Sequence, residues 1–232
     1  MTARYAIYFM PSPATELWRF GSSVIGYDAE TGREVLPPGR HAFHAPGAER
    51  DTAEPRRYGF HATLKAPFAL APGISEATLV DKAKAFAAQR ESFTVPPLRV
   101  ATIERFIALV PAAANAKLDS LAAECVRAFE PMRAALSEAD VARRMAATLT
   151  PRQIAHLECW GYPYVFEDFR FHMTLTGPLE AKPRARLLDA LRSLYAPVAE
   201  PLTVDAIIVA RQADRDSRFA VLARFPFREA AA

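Results

Sequence analysis

The sequence contains little cysteine and little histidine. Its 232 residues include two cysteines, Cys125 and Cys159, which lie far apart and without the spacing of a zinc site. We therefore expect no disulfide framework and no structural metal, and the simplest interpretation is two reduced, buried thiols. The five histidines can change charge near neutral pH, because the ordinary pKa of an imidazole lies there.

Long apolar segments are also absent from the sequence. The first apolar run, Tyr5 to Met10, ends at Pro11 and is shorter than a signal-peptide core of about seven to fifteen residues. A helix that crosses a bilayer needs about 20 apolar residues, and no stretch approaches this. The net charge is only +3, with a pI near 9.0. We therefore expect a cytoplasmic globular protein that suits anionic ligands, with no membrane partner and no nucleic-acid-coating surface.

Patterns of apolar residues predict a mixture of strands and helices. Aromatic and β-branched runs predict strands at 5–10, 60–68, 98–103, 106–110, 171–179, 202–210 and 219–225. Helical spacing and N-cap residues predict helices at about 75–89, 114–132 and 183–195, with shorter helices after Ser137 and Thr150, the second ending at Gly161. Residues 37–57, rich in proline, glycine and charge, predict a long surface loop bordering a site.

The most informative feature is an internal repeat. The segment FHATLKAPF at 60–68 aligns without gaps on FHMTLTGPL at 171–179, with five identical positions and an offset of 111 residues. Each copy is followed by a predicted helix and two strands, and the second strand begins with Arg-Phe at Arg105 and at Arg218. Because the register persists over this distance, the repeat predicts a duplicated unit.

The duplication predicts an α+β fold with two pseudo-symmetric lobes. Each lobe is expected to be an antiparallel sheet with helices on its outer face, and the two lobes enclose a central cleft. The expected segments of this single bilobed domain are a first lobe at about 1–112, a helical connector at about 113–159 and a second lobe at about 160–228. Strand side chains alternate between faces, so one polar face of each repeat turns toward the cleft. These faces carry His61, Thr63 and Lys65 in the first copy, and Arg170, His172, Thr174 and Thr176 in the second.

Two facing histidines suit general acid–base catalysis on a phosphate ester. A neutral imidazole accepts a proton from the attacking water or hydroxyl, and a charged one donates a proton to the leaving oxygen. A threonine two residues after each histidine can donate its hydroxyl to a non-bridging phosphate oxygen. Lys65 and Arg170 either add cationic contacts or are simply solvated, and Tyr58 either stacks on a base or sugar or packs in the core. Arg105 and Arg218 either reach the cleft or pair with acidic residues.

The paired His-x-Thr strands resemble the two-histidine (2H) phosphoesterase superfamily, whose members act on 2′,3′-cyclic nucleotides, cyclic phosphodiesters and RNA ends. The strings YGFHATLKAPF at 58–68, WGYP at 160–163 and FRFHMTLTG at 169–177 are similar to one branch, encoded beside carbon–phosphorus lyase genes for phosphonate use. The resemblance implies a bilobed α+β hydrolase of the cyclic phosphodiesterase type, without metal or cofactor. Its implied catalytic set is His61, Thr63, His172 and Thr174, with Tyr58, Lys65, Arg170 and Thr176 as candidate substrate contacts.

The resemblance leaves the substrate open. In a phosphonate pathway the expected ligand is the cyclic phosphate of a ribose or nucleotide, such as phosphoribosyl 1,2-cyclic phosphate, with an RNA end as a further option. Two other functions compete: a module that binds a nucleotide or RNA end without chemistry, and a scaffold of a phosphonate-degrading complex that docks through the helices at 114–159. Surface or structural roles are expected for the remaining histidines, His41, His44 and His156.

Overall fold

The computed structural model describes residues 3–36 and 48–229; His41 and His44, which were expected to be surface histidines, lie outside these ranges. The strands are β1 (Arg4–Phe9), β2 (Tyr27–Asp28), β3 (Arg33–Glu34), β4 (Ala62–Phe68), β5 (Phe93–Val95), β6 (Arg99–Ile103), β7 (Phe106–Val110), β8 (Met173–Thr174), β9 (Leu202–Val204), β10 (Ala206–Gln212) and β11 (Ala220–Pro226). The helices are α1 (Glu16–Ile25), α2 (Ala48–Asp51), α3 (Ala53–Arg56), α4 (Glu76–Ala87), α5 (Ala116–Phe129), α6 (Glu138–Met145), α7 (Pro151–Trp160) and α8 (Ala181–Tyr195).

Side-chain caps define the ends of several helices. Ser75, Ser137 and Thr150 each accept a hydrogen bond from a backbone N–H in the first turn of α4, α6 and α7, as predicted. Gly161 ends α7 in the left-handed conformation, with φ of 72°. The sequence pattern does not predict α1, which packs closely on the strand that carries the first motif. A Cβ added at Gly21 would lie 2.2 Å from the ring of Phe60, so α1 needs glycine at this contact.

The described strands form one antiparallel seven-stranded sheet and two short ribbons, which confirms the α+β class. The order in the large sheet is β11-β10-β1-β4-β8-β7-β6. The two motif strands, β4 and β8, are neighbours at the middle of this sheet, where Ala62 pairs with Met173. Helices cover the sheet: α4 packs on β10 and β11, α8 packs on β6 and β7, and α5 packs on β4.

The hairpin that follows each motif in the chain joins the side of the sheet that carries the other motif. The β6–β7 hairpin follows the first motif in the chain but pairs with β8, which carries the second motif. The β10–β11 hairpin follows the second motif but joins β1 beside β4. The segments at about 1–112 and about 160–228 are therefore interleaved in space rather than forming consecutive lobes. Helix α5, expected in the connector, instead covers the first motif strand with a buried face that includes Leu118 and Phe129.

Three element predictions were wrong in extent. The second motif strand, predicted at 171–179, is reduced to β8, because the N–H groups of Leu175 and Thr176 both donate to the carbonyl of Ile107 and leave the ladder. The strand predicted at 202–210 is divided: β9 pairs with β5 in a separate ribbon, while β10 joins the large sheet. The loop predicted at 37–57 contains the short helices α2 and α3 in its described part.

Candidate active site

The adjacent motif strands bring both histidines to one cavity. His61 lies directly before β4 and His172 directly before β8, and both rings line a cavity of about 360 Å³. Thr63 and Thr174 line the same cavity. The four residues that the resemblance implies as catalytic therefore meet, although they come from segments more than 100 residues apart.

Each histidine is oriented by the same local hydrogen bond. Nδ1 of His61 lies 2.8 Å from the carbonyl oxygen of Gly59, and Nδ1 of His172 lies 2.7 Å from that of Arg170. A carbonyl oxygen only accepts, so Nδ1 is the protonated nitrogen of each neutral ring. Nε2 is then left to exchange protons, and in His61 it lies 3.1 Å from the hydroxyl of Thr63. The repeated sequence thus orients both imidazoles through the same local hydrogen bond.

The position of the Gly59 carbonyl depends on glycine. This residue has a φ of 80°, a left-handed conformation that side chains disfavour. A Cβ at position 59 would also lie 2.6 Å from the Cβ of Ala29. Since the carbonyl that orients His61 belongs to Gly59, the conformation of this turn directs the imidazole.

Burial favours the neutral form of both imidazoles. Burial lowers the pKa of His61 to about 4; its hydrogen bond to Gly59 opposes this shift, and the neighbouring His172 adds to it. Burial also lowers the pKa of His172, against the hydrogen bond to the Arg170 carbonyl. Aromatic rings contribute to this burial: Tyr8 lies 3.9 Å from His61 between ring centroids, and Phe106 lies 5.8 Å from His172. An anion in the cavity would favour the charged form of either ring.

We expect acid to destabilise the protein through His61. In the folded state its pKa of about 4 keeps the ring neutral, whereas a histidine in the unfolded chain binds a proton below about pH 6.5. Between these values the unfolded state binds more protons, so the free energy of unfolding falls as the pH falls. Urea unfolding at about pH 7 and about pH 5 tests this: the loss is expected to be smaller in His61→Gln than in the wild type. An equal loss in both proteins would contradict it.

Lys65 does not face the cavity, so this part of the prediction was wrong. Tyr8 of β1 pairs with Thr63 and Ile7 pairs with Lys65, which leaves Leu64 as an extra residue in β4. This β-bulge interrupts the alternation of side chains, and Leu64 and Lys65 are both buried. The ammonium group of Lys65 instead donates to Glu130, at 2.7 Å, and to the carbonyl of Val126 on α5.

The other candidate substrate contacts have different surroundings. Tyr58 lines the cavity and stacks on Phe219 with 5.5 Å between ring centroids. Thr176 also lines the cavity, but its hydroxyl accepts from the Ile107 N–H and donates to the Gly177 carbonyl, so it stabilises the chain. Arg170 is exposed and lines an adjoining cavity that Thr63 and His172 also line, while its carbonyl orients His172.

The repeated arginines and the two cysteines lie outside the cavity. Arg105 and Arg218 form ion pairs with Glu180 and Glu34, so the repeated arginines pair with acidic residues. Cys125 is buried as predicted, and burial raises its thiol pKa, but Cys159 is exposed and its prediction was wrong.

Several residues that line the cavity were not predicted as site residues. Phe106 had a signal, since it belongs to the Arg-Phe pair that recurs after each motif. Tyr162 belongs to the WGYP string at 160–163, and Glu54 lies in the loop at 37–57 that the sequence predicts to border a site. The segments that carry Arg4, Tyr8, Arg143 and Arg144 have no motif of their own. Within residues 3–36 and 48–229, no group of three or more His, Cys, Asp or Glu side chains is arranged to hold a metal ion. The same ranges contain no helix with the length and apolarity needed to span a bilayer.

The fold and the site define a class of protein: an antiparallel α+β protein in which two His-x-Thr strands meet at one cavity. This is the arrangement that the resemblance to the two-histidine phosphoesterase superfamily implies. The chain belongs to the family described as a protein of unknown function (DUF1045), whose model matches residues 63–220.

Two curated proteins similar to this chain are both named ribose 1,5-bisphosphate phosphokinase PhnN. The one from Janthinobacterium sp. (strain Marseille) is 37% identical over 234 residues, covering 97% of this chain and 51% of that protein. The one from Laribacter hongkongensis (strain HLHK9) is 39% identical over 186 residues, covering 76% of this chain and 40% of that protein. The chain thus spans about half the length, or less, of the curated relatives it matches.

Two solved structures align with nearly the whole of this chain at low sequence identity. E. coli LigT complexed with 3′-AMP has a TM-score of 0.47 and 14% identity, over 98% of this chain and 99% of that one. TT0787 of Thermus thermophilus has a TM-score of 0.47 and 14% identity over the whole of both chains.

Proposed function

We propose that this protein is a phosphoesterase that opens or hydrolyses a cyclic phosphodiester, with His61 and His172 as its acid–base pair. The observation that carries the proposal is their matched orientation: each ring is held through Nδ1 by a carbonyl two residues earlier, and both rings line one cavity. An imidazole held in this way exchanges its proton at one defined atom, Nε2. Two such atoms in one cavity provide a proton acceptor and a proton donor for a single ligand.

The proposed reaction requires one neutral and one charged imidazole. Nε2 of one ring accepts a proton from water as the new P–O bond forms. Nε2 of the other ring donates its proton to the ring oxygen of the cyclic phosphate as that P–O bond breaks. The product is a phosphomonoester and a free hydroxyl, and proton exchange with solvent restores the starting charges. We assign the base to His61, because burial holds its pKa at about 4 and favours its neutral form beside a charged His172.

Thr63 and Thr174 are the proposed donors to the non-bridging phosphate oxygens. Both line the cavity two residues after a histidine, so their hydroxyls reach the region where negative charge develops on phosphorus. In the free protein the Thr63 hydroxyl lies 3.1 Å from Nε2 of His61. When the substrate binds, this contact is lost. The Thr63 hydroxyl then donates to a phosphate oxygen, and Nε2 of His61 is available to accept a proton.

The substrate we propose is a ribose cyclic phosphate from phosphonate metabolism. The curated relatives are named for a kinase of ribose 1,5-bisphosphate, and opening phosphoribosyl 1,2-cyclic phosphate at its 2-oxygen yields that compound. This chain contains no Gly-x-x-x-x-Gly-Lys-Ser/Thr sequence, the phosphate-binding loop of many ATP-dependent enzymes. We therefore propose that the region matched by this chain supplies ribose 1,5-bisphosphate and does not phosphorylate it.

A screen of cyclic phosphates in EDTA tests the proposed function. Purified protein is incubated with nucleoside 2′,3′-cyclic phosphates and phosphoribosyl 1,2-cyclic phosphate, and products are identified by phosphorus NMR. We expect a phosphomonoester product and an undiminished rate in EDTA, because protons are moved by imidazoles alone. Loss of turnover on chelation, restored by a divalent metal, would contradict the metal-independent mechanism.

The same screen separates catalysis from binding. Tight binding of a nucleotide or RNA end, with no product from any cyclic phosphate, would contradict the proposal and favour a binding module. A scaffold role for the helices at 114–159 is less consistent with the structure, because α5 uses its apolar face to cover β4.

A further inference from the structure

The cavity that holds the histidines also has a cationic wall. Arg4 reaches it from β1, and Arg143 and Arg144 reach it from α6. Two phenol rings, Tyr8 and Tyr162, complete this wall, and the guanidinium of Arg144 lies 5.2 Å from the centroid of the Tyr162 ring. No step of the proposed reaction uses these five residues.

Two of these arginines have no carboxylate partner among the described residues. Arg4 donates to the amide oxygen of Gln212, a neutral group, and Nε of Arg144 is buried without a hydrogen-bond partner in the described structure. Arg143 differs, because it forms an ion pair with Asp140 and about half of its side chain is exposed. Glu54 contributes a carboxylate to the cavity lining, but it forms no ion pair with these arginines within the described ranges.

A buried hydroxyl at this wall has the character of a ligand-binding group. The side chain of Tyr8 is fully buried and lines the cavity, yet its hydroxyl has no hydrogen-bond partner among the described residues. Buried polar atoms are nearly always hydrogen-bonded in native proteins. Burial lowers the pKa of Arg4 and of Arg144, and the neighbouring guanidinium groups lower them further. A bound anion would accept from these donors and relieve the repulsion between the cations.

We propose that Arg4, Arg144 and Tyr8 form a second anion subsite, which binds a non-reacting phosphomonoester of the same substrate. This inference rests on the proposed function of the histidine pair. A phosphomonoester fits because it carries close to two negative charges and three acceptor oxygens, enough for two guanidinium groups and a phenol. The substrate class is thus a cyclic phosphate with a separate terminal phosphate, such as a phosphorylated ribose or a nucleoside 5′-phosphate.

The histidine pair and the proposed anion subsite are close enough for one ligand to reach both. Tyr8 pairs with Thr63 and packs on His61, so this part of the cationic wall adjoins the reacting centre. Arg4 is four residues earlier on the same face of β1, about 13 Å away along the strand at Cα, and its long side chain reaches back to the cavity. A cavity of about 360 Å³ lies within the range of small-molecule sites and has room for a small bisphosphate.

Helix α6 is held over the cavity by an ion pair from the β10–β11 turn. Arg215 of that turn donates to Asp140 of α6 at 2.7 Å. Although burial opposes it, hydrogen bonds from Arg215, Ser137 and Arg143 lower the pKa of Asp140 to about 2, so this carboxylate is charged at neutral pH. This ion pair links α6, the helix that carries Arg144, to the β10–β11 turn.

Matched substrates test the second subsite. We expect the wild type to have a higher kcat/KM for phosphoribosyl 1,2-cyclic phosphate than for ribose 1,2-cyclic phosphate. The same preference is expected for adenosine 2′,3′-cyclic phosphate with a 5′-phosphate over the form without it. Arg4→Gln and Arg144→Gln are expected to raise KM for the phosphorylated members by about 10- to 100-fold, as lost charge-assisted hydrogen bonds do, with a much smaller effect on the other members. Arg186→Gln, an exposed change on α8, is the control and is expected to match the wild type.

The outcomes distinguish the subsite from the catalytic proposal. Equal kcat/KM within each pair, or equal losses for both members in the arginine variants, would overturn the second subsite. Calorimetric binding to the inactive double variant His61→Ala/His172→Ala measures the subsite without turnover. If no substrate is turned over but the phosphorylated members still bind more tightly in an Arg144-dependent way, the catalytic proposal fails and the subsite stands. Tyr8→Phe, which removes only the unpartnered hydroxyl, is the second variant if an arginine change unfolds the protein, and it is expected to weaken the same members selectively.

Discussion

Alanine at His61 or at His172 is expected to reduce kcat for a cyclic phosphate by about 100- to 10,000-fold. Each ring is oriented by its own carbonyl and presents its own Nε2, so neither can take over the role of the other. Because the proposed reaction uses both rings in one step, the double variant is expected to lose little more than either single variant. Initial rates with the best substrate of the screen give the measurement.

His156→Ala is the matched control for these variants. This ring lies on α7 outside the cavity that holds His61 and His172, and it is expected to leave kcat unchanged. Urea unfolding of all three proteins shows whether each variant remains folded. A folded His61→Ala or His172→Ala protein with wild-type turnover would contradict the assignment of that residue to the reaction.

Valine at Thr63 or at Thr174 is expected to reduce kcat by about 100- to 1,000-fold, the usual cost of removing one donor to a developing oxyanion. Valine preserves the shape and β-branching of threonine but removes the hydroxyl, so the change isolates the hydrogen bond. Serine at the same positions keeps the hydroxyl and is expected to retain most of the activity. Steady-state kinetics with a saturating substrate measures the effect on kcat separately from KM.

Thr203→Val is the control for the threonine variants. Thr203 lies on β9 with its side chain exposed, away from the cavity, and its replacement is expected to leave kcat unchanged. A loss confined to KM in Thr63→Val and Thr174→Val would contradict transition-state stabilisation and would assign these hydroxyls to ground-state binding instead.

The meeting of the two motifs is predictable from sequence because it follows from a repeat and from strand periodicity. The register between 60–68 and 171–179 predicts that His61 and His172 occupy equivalent positions, and the structure places them on adjacent strands at one cavity. Helix caps such as Ser75 and Thr150 are predictable for a related reason, since their signal lies within one turn.

Features that depend on a distant partner are not predictable in this way. The bulge that buries Lys65 arises from the pairing of β4 with β1, and strict alternation within β4 gives no sign of it. The repeat is equally compatible with hairpins that stay in their own half and with hairpins that exchange, so the sequence does not indicate the observed interleaving. Arg4, Tyr8 and Arg144 come from segments without a motif, and only tertiary packing brings them together at the cavity.

The pH dependence of kcat/KM in the wild type tests the central claim most directly, because this ratio reports the ionisation of the free protein. The substrate for this measurement is a cyclic phosphate without a phosphomonoester, since that group itself titrates near pH 6. The lowered pKa values of His61 and His172 predict a bell-shaped profile, with its maximum between about pH 4 and the ordinary histidine value of about 6.5. A rate that rises steadily above neutral pH would show that no charged imidazole is required and would contradict the acid–base pair.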